Sequence, residues 1–101
     1  MRVIIIDAEK ELRELFCELL QDEFEDEGGA TFSHLETWKD YTYEEGDVVF
    51  SDIRGVGIED KDDRANIILM SGCIGREGIQ LYKPFGVEDM VNMLRDMGLP
   101  L

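Results

Sequence analysis

Short apolar runs that each stop at a polar residue, set between stretches where apolar residues return every three or four positions, organise this chain. Val3, Ile4, Ile5 and Ile6 end at Asp7, and their length and β-branching predict a strand buried on both faces. From Glu9 the period changes. Leu12, Leu15, Phe16, Leu19 and Leu20 form the stripe of an amphipathic helix that runs to about Phe24 and is ended by Gly28 and Gly29. Cys17 lies beside that stripe as a small packing residue. Residues 30–34 predict a second strand, and residues 35–43 a short helix whose inner face is Leu35, Trp38 and Thr42.

Val48, Val49 and Phe50 predict a third buried strand, closed by Asp52 and followed by Gly55 and Gly57. Residues 53–64 show no apolar period and read as loop with at most a turn or two of helix. Ile67, Ile68 and Leu69 centre a fourth strand over residues 66–70, which stops at Ser71. The six residues from 73 to 78 then lead to a fifth strand, residues 79–82, ending at Lys83, Pro84 and Phe85. A last helix starts at about Val87, with Met90, Val91, Leu94 and Met97 on one side. This alternation predicts one α/β domain over residues 1–101 with an open parallel sheet.

Composition narrows the partners. With 10 basic against 24 acidic residues the formal charge is -14, which disfavours nucleic acid and anionic membrane surfaces and favours a basic partner or a metal ion. The acidic runs 23–27 and 59–63 read as solvated surface. Two cysteines, Cys17 and Cys73, lack metal-ligand spacing, and the apolar start is too short for a leader or a span, so a soluble cytoplasmic protein is expected. His34, the single histidine, has no partner spacing for a metal or a triad and reads as a surface or capping residue.

The chemistry gathers at strand ends. In a parallel sheet all carboxyl ends open on one edge, so Asp7 with Glu9, Asp52, Ser71 and Lys83 converge on one crevice. Alone, Asp52 would read as a turn residue. Together, carboxylates, a hydroxyl and an ammonium suit a small anionic group bridged by a hard cation such as magnesium. Asp52 is then the nucleophile, with Ser71 and Lys83 on the remaining oxygens.

These motifs resemble, across nearly the whole chain, the receiver domains of two-component response regulators and hybrid histidine kinases. Residues 4–15 are similar to that family's acidic first turn and first helix, residues 48–54 to its phosphoacceptor strand, residues 68–72 to its hydroxyl strand, and residues 82–85 to its Lys-Pro signature. The resemblance implies a flavodoxin-like sheet of order 2-1-3-4-5 and Asp52 as phosphoacceptor. It further implies Mg2+ held by Asp7, Glu9, Asp52 and the backbone carbonyl of Arg54, with Ser71 and Lys83 on the phosphoryl group and a cis peptide bond before Pro84.

Four departures qualify the match. The second acid of the first turn is Ala8, which predicts a weakened metal site with Glu9 as substitute ligand. The proline four residues after the phosphoacceptor is Val56. The connections from Asp52 to Ser71 and from Ser71 to Lys83 are short, so the helices between strands 3 and 4 and between strands 4 and 5 are expected to be reduced or missing. The usual aromatic switch position is Gln80, which leaves Tyr82 as its substitute.

The leading expectation is a receiver, not an enzyme beyond its own phosphorylation and dephosphorylation, served by a histidine kinase or phosphotransfer protein. Ala8 supports an alternative, a degenerate receiver acting as a protein-interaction module. A small phosphatase is a third class. The reduced helices predict a bare sheet face covered by a homodimer, or by residues 53–64 folding back with Val56 and Ile58 inward.

Overall fold

Strand pairing follows the apolar runs. This computed structural model describes residues 1–25, 28–71, 80–82 and 86–98, with backbone only at 71 and 80–82. Five strands, β1 (Arg2–Ile6), β2 (Thr31–Leu35), β3 (Val48–Asp52), β4 (Asn66–Ser71) and β5 (Gln80–Tyr82), form one parallel sheet in the order β2-β1-β3-β4-β5. Among the described residues two α-helices accompany them, α1 (Lys10–Glu23) and α2 (Val87–Asp96). This is the flavodoxin-like order expected from the sequence.

Side chains alternate across the sheet, so β1, β3 and β4 each feed two cores. Val3, Ile5, Val48, Phe50, Ile68 and Met70 face α1 and α2, meeting Phe16, Cys17, Leu20, Met90 and Leu94. On α1 the buried line is Phe16, Cys17 and Leu20, with Leu12 partly covered, whereas Leu15 and Leu19 are exposed. The predicted stripe was too wide. Residues 16, 20 and 24 fall on one line of the helix at spacings of four, and residues 15 and 19 stand about 100° to its side. The two helices also meet directly, through Arg95 over the Phe24 ring at 4.9 Å.

The opposite face corrects the sequence reading. Residues 35–43 form no helix beyond a 3-10 turn at Trp38–Asp40, because the Trp38 N–H is taken by the Val56 carbonyl at 2.8 Å and Tyr41 is already extended. Between β3 and β4 there is likewise only a 3-10 turn, Ile58–Asp60. The connection between β4 and β5 lies outside the described residues. The face is nevertheless not bare: Ile4, Ile6 and Val49 are buried beneath Trp38 and Val56, with Leu35, Tyr41, Tyr43, Ile58 and Ile67 around them.

Two irregular segments thus make a lid, held together by backbone bonds rather than by helices. Gly57 is required there: its φ is +69°, and a Cβ would begin 3.1 Å from Thr37 Oγ1. The bare face that motivated a homodimer is closed over β1 and β3. Val56→Ala removes two methyl groups from this core and is expected to cost about 2 kcal/mol in urea unfolding. A cost near zero would mean that the lid does not bury Val56 in solution.

Candidate functional site

Register sets the site. Ile5 pairs with Phe50 and Ile6 with Ser51, so one further residue along each strand sets Asp7 beside Asp52, on neighbouring strands and with the parity of the α-helical face. Asp52 pairs with Met70, which puts the Ser71 backbone one residue beyond, and Ser71 pairs in turn with Tyr82. Asp7, Asp52 and Ser71 therefore share the carboxyl edge of three adjacent strands. Lys83 and Pro84 lie outside the described residues, as do the side chains of Ser71 and Tyr82.

Asp7 is 1% exposed and Asp52 is half-buried. Each carboxylate accepts a local backbone bond, Asp7 Oδ1 from the Glu9 N–H at 2.8 Å and Asp52 Oδ1 from the Ile53 N–H at 2.9 Å. Such bonds orient the acids at the sheet edge. Glu9 itself is exposed and makes no side-chain cap on α1. Arg54 is exposed in the turn that follows β3. Ala8, where a second acid was expected, is exposed against Gly55, at which a Cβ would begin 3.4 Å from the Ala8 Cβ.

Among the described residues no three of His, Cys, Asp or Glu gather into a ready-made metal cage. Magnesium does not require one, since it takes one or two carboxylates together with phosphate oxygens and water. The adjacency of Asp7 and Asp52 fits that demand.

Three contacts escaped the sequence reading. Arg13 on α1 donates from Nε to His34 Nδ1 at 3.1 Å and from Nη1 to the Asp7 carbonyl at 3.3 Å, so His34 is a positioned acceptor rather than a plain surface residue. The Trp38 indole donates to Ser51, the residue preceding Asp52. At the opposite edge Arg2 pairs with buried Asp47. Only the last had a usable signal: the register that sets Val3 beside Val48 sets Arg2 beside Asp47.

Solved structures share this architecture. The chemotaxis response regulator CheY4 of Vibrio cholerae superposes with a TM-score of 0.70 at 18% identity, over 94% of this chain and 96% of that one. The receiver domain of the hybrid histidine kinase CckA gives 0.66 at 14% identity, over 95% and 97% of the two chains. A two-component response regulator from Clostridium difficile gives 0.65 at 14% identity, over 97% and 98%. No protein-family model matches the sequence, and no curated protein matches it either. The chain has the fold of a response-regulator receiver domain.

Proposed function

We propose that this domain is a signalling receiver that accepts a phosphoryl group on Asp52 from a histidine kinase or a phosphotransfer protein. The observation that carries the reading is the register of β1 and β3, which sets Asp7 beside Asp52 at the carboxyl edge of a receiver fold. An Asp52 carboxylate oxygen attacks phosphorus, the new O–P bond forms as the N–P bond of a phosphohistidine breaks, and the departing imidazole keeps the electron pair. Water attack on the acyl phosphate returns the carboxylate. The chemistry is confined to the domain's own side chain.

Asp7, Asp52 and the Arg54 carbonyl are the groups that would hold magnesium; Glu9, exposed on the turn, would have to swing in to join them. When bound, the ion supplies positive charge against the developing phosphoryl charge. Ser71 ends β4 and Lys83 comes directly after β5 in the sequence, and the two would take the remaining oxygens, with Tyr82 as the candidate switch residue. Among the described residues no helix is long and apolar enough to cross a membrane. We assign the domain to the cytoplasm, where the buried free thiol of Cys17 stays reduced.

The reading is tested by incubating the chain with acetyl phosphate and magnesium and measuring its intact mass. One phosphoryl increment, mapped to Asp52, is expected. A folded chain that takes none is instead an interaction module, and steady turnover of a phosphate ester would make it a phosphatase.

Ala8→Asp is expected to improve the site. A carboxylate added beside Gly55 contributes a charged contact of about 1.5 kcal/mol, roughly tenfold in magnesium affinity, with faster phosphorylation of Asp52. If Ala8→Asp changes neither while Glu9→Ala abolishes both, Glu9 already serves as the ligand. With the lid closed over β1 and β3, sedimentation at micromolar concentration is expected to give the 11.6 kDa monomer. A stable dimer would return the sheet face to the list of interfaces.

A further inference from the structure

One buried line of hydrogen bonds joins the phosphoacceptor strand to the lid. The Trp38 indole Nε1–H donates to Ser51 Oγ at 2.8 Å, and the Ser51 hydroxyl donates to the Asp52 carbonyl oxygen at 2.7 Å. Ser51 is 0% exposed and Trp38 2%, so water does not compete for either bond. A hydroxyl has one proton to give, and with that proton on Asp52 its lone pairs face the indole. The two bonds therefore support each other. Ser51 is otherwise anomalous, a polar side chain closing the apolar run Val48, Val49 and Phe50 at a fully buried position.

Trp38 also holds the far end of the same segment. Its backbone N–H donates to the Val56 carbonyl at 2.8 Å, and the neighbouring Thr37 hydroxyl donates to that carbonyl at 3.1 Å. Residues 51–56 are thus tied at both ends to one aromatic residue, with Asp52 between the ties. The Asp52 carboxylate accepts the Ile53 N–H at 2.9 Å, and this acceptor is altered when one carboxylate oxygen becomes the bridging oxygen of an acyl phosphate. Any displacement of the Ile53 backbone is taken up between two points that Trp38 holds.

The displacement has an outlet. The Trp38 ring meets Tyr41 edge-on, with centroids 5.1 Å apart, and a cleft of about 550 Å³ lies between the two lid segments, lined by Glu36, Thr37, Lys39, Gly55, Gly57 and Glu59.

Building on the receiver reading above, we propose that Trp38 is the positioning residue of the phosphoacceptor segment, and that through Ser51 it carries the state of Asp52 to the lid. Position 80, from which an aromatic switch would have acted, is glutamine. The lid route uses residues that sequence position alone would not select.

Trp38 is the single tryptophan, so indole fluorescence and its Nε1–H resonance report on this one site. The full chain is titrated with beryllofluoride and magnesium, and acetyl phosphate adducts are quantified by intact mass on the same preparations. In the wild type the indole resonance and the emission are expected to shift as the Asp52 site fills. Ser51→Ala is expected to lose the indole response at equal occupancy of Asp52, and Ser51→Thr, which keeps the hydroxyl, to restore it.

An adduct on Asp52 with an unmoved wild-type indole overturns this inference and leaves the receiver reading standing. So does a Ser51→Ala response equal to that of the wild type. If Ser51→Ala does not fold, the wild-type resonance decides by itself. A chain that forms no adduct loses the receiver reading and this inference with it.

Discussion

Replacing Arg2 by methionine is expected to cost about 3–5 kcal/mol of folding stability at neutral pH, a large share of what a domain of this size has. The reason lies at the amino edge of the sheet, opposite the candidate site. Asp47 is 0% exposed and is held by a bidentate Arg2, with Nε to Oδ1 at 2.9 Å and Nη2 to Oδ2 at 2.6 Å. The Tyr41 hydroxyl and the Glu44 N–H complete the set. Removing Arg2 leaves a carboxylate in a dry site without its cation. Methionine keeps an apolar stem of similar length and removes the charge together with the guanidinium's hydrogen bonds to Asp47 and to the Thr42 carbonyl.

The pH dependence carries a sign that separates this account from simple loss of packing. Burial alone would raise the Asp47 carboxyl, but hydrogen bonds from Arg2 and Tyr41 outweigh it and hold the group below the usual carboxylate range. Its stabilising effect is therefore complete above the unfolded value of about 3.9 and is lost as pH falls through the lowered folded value. In Arg2→Met the bonds from Arg2 are gone while the burial penalty stays, so the Asp47 carboxyl moves upward, and the variant suffers most at neutral pH and recovers relative to the wild type on acidification. Urea unfolding at neutral pH and at about pH 4 measures both. A deficit under about 1 kcal/mol, or one that ignores pH, would place the pair among inert surface bridges.

Asp52→Asn is expected to abolish phosphoryl acceptance outright while leaving the fold intact. Asparagine matches the volume of aspartate, and its amide oxygen still accepts the Ile53 N–H that now reaches Oδ1. An amide lacks the anionic nucleophile that attack on phosphorus needs. The same change removes one of two adjacent like charges, so the variant should also unfold at equal or higher urea concentration than the wild type. A variant that still gains the phosphoryl mass increment would show that the acceptor lies elsewhere.

The sheet was legible because a strand buried on both faces must be apolar at every position, and residues 3–6 and 48–50 are. Both ends of α1 and the start of α2 were legible because a change of period marks a helix whatever it packs against. The order of the strand ends along the chain is itself enough to bring Asp7 and Asp52 together. The lid was not legible. The spacing of Leu35, Trp38 and Thr42 imitates a helix face, but what fixes that segment is a backbone bond from Trp38 to Val56, 18 residues away, and such a bond leaves no period in the sequence.

The same blindness hid the relay through Ser51. A serine before a strand-ending aspartate looks like a turn residue until the indole above it is located. Arg13 and His34 come from different elements, and only the packing of α1 on β2 brings them together.

The most direct measurement is an amide-resolved NMR titration of the chain with magnesium and then beryllofluoride, which mimics a phosphoryl group on a carboxylate. The account predicts that magnesium first moves the amides around Asp7 and Asp52, and that beryllofluoride then moves those of Asp52, Ile53 and Ser71, while the amino edge around Arg2 and Asp47 stays still. Silence at Asp7, Asp52 and Ser71 in a chain whose spectrum is otherwise that of a folded protein would contradict it.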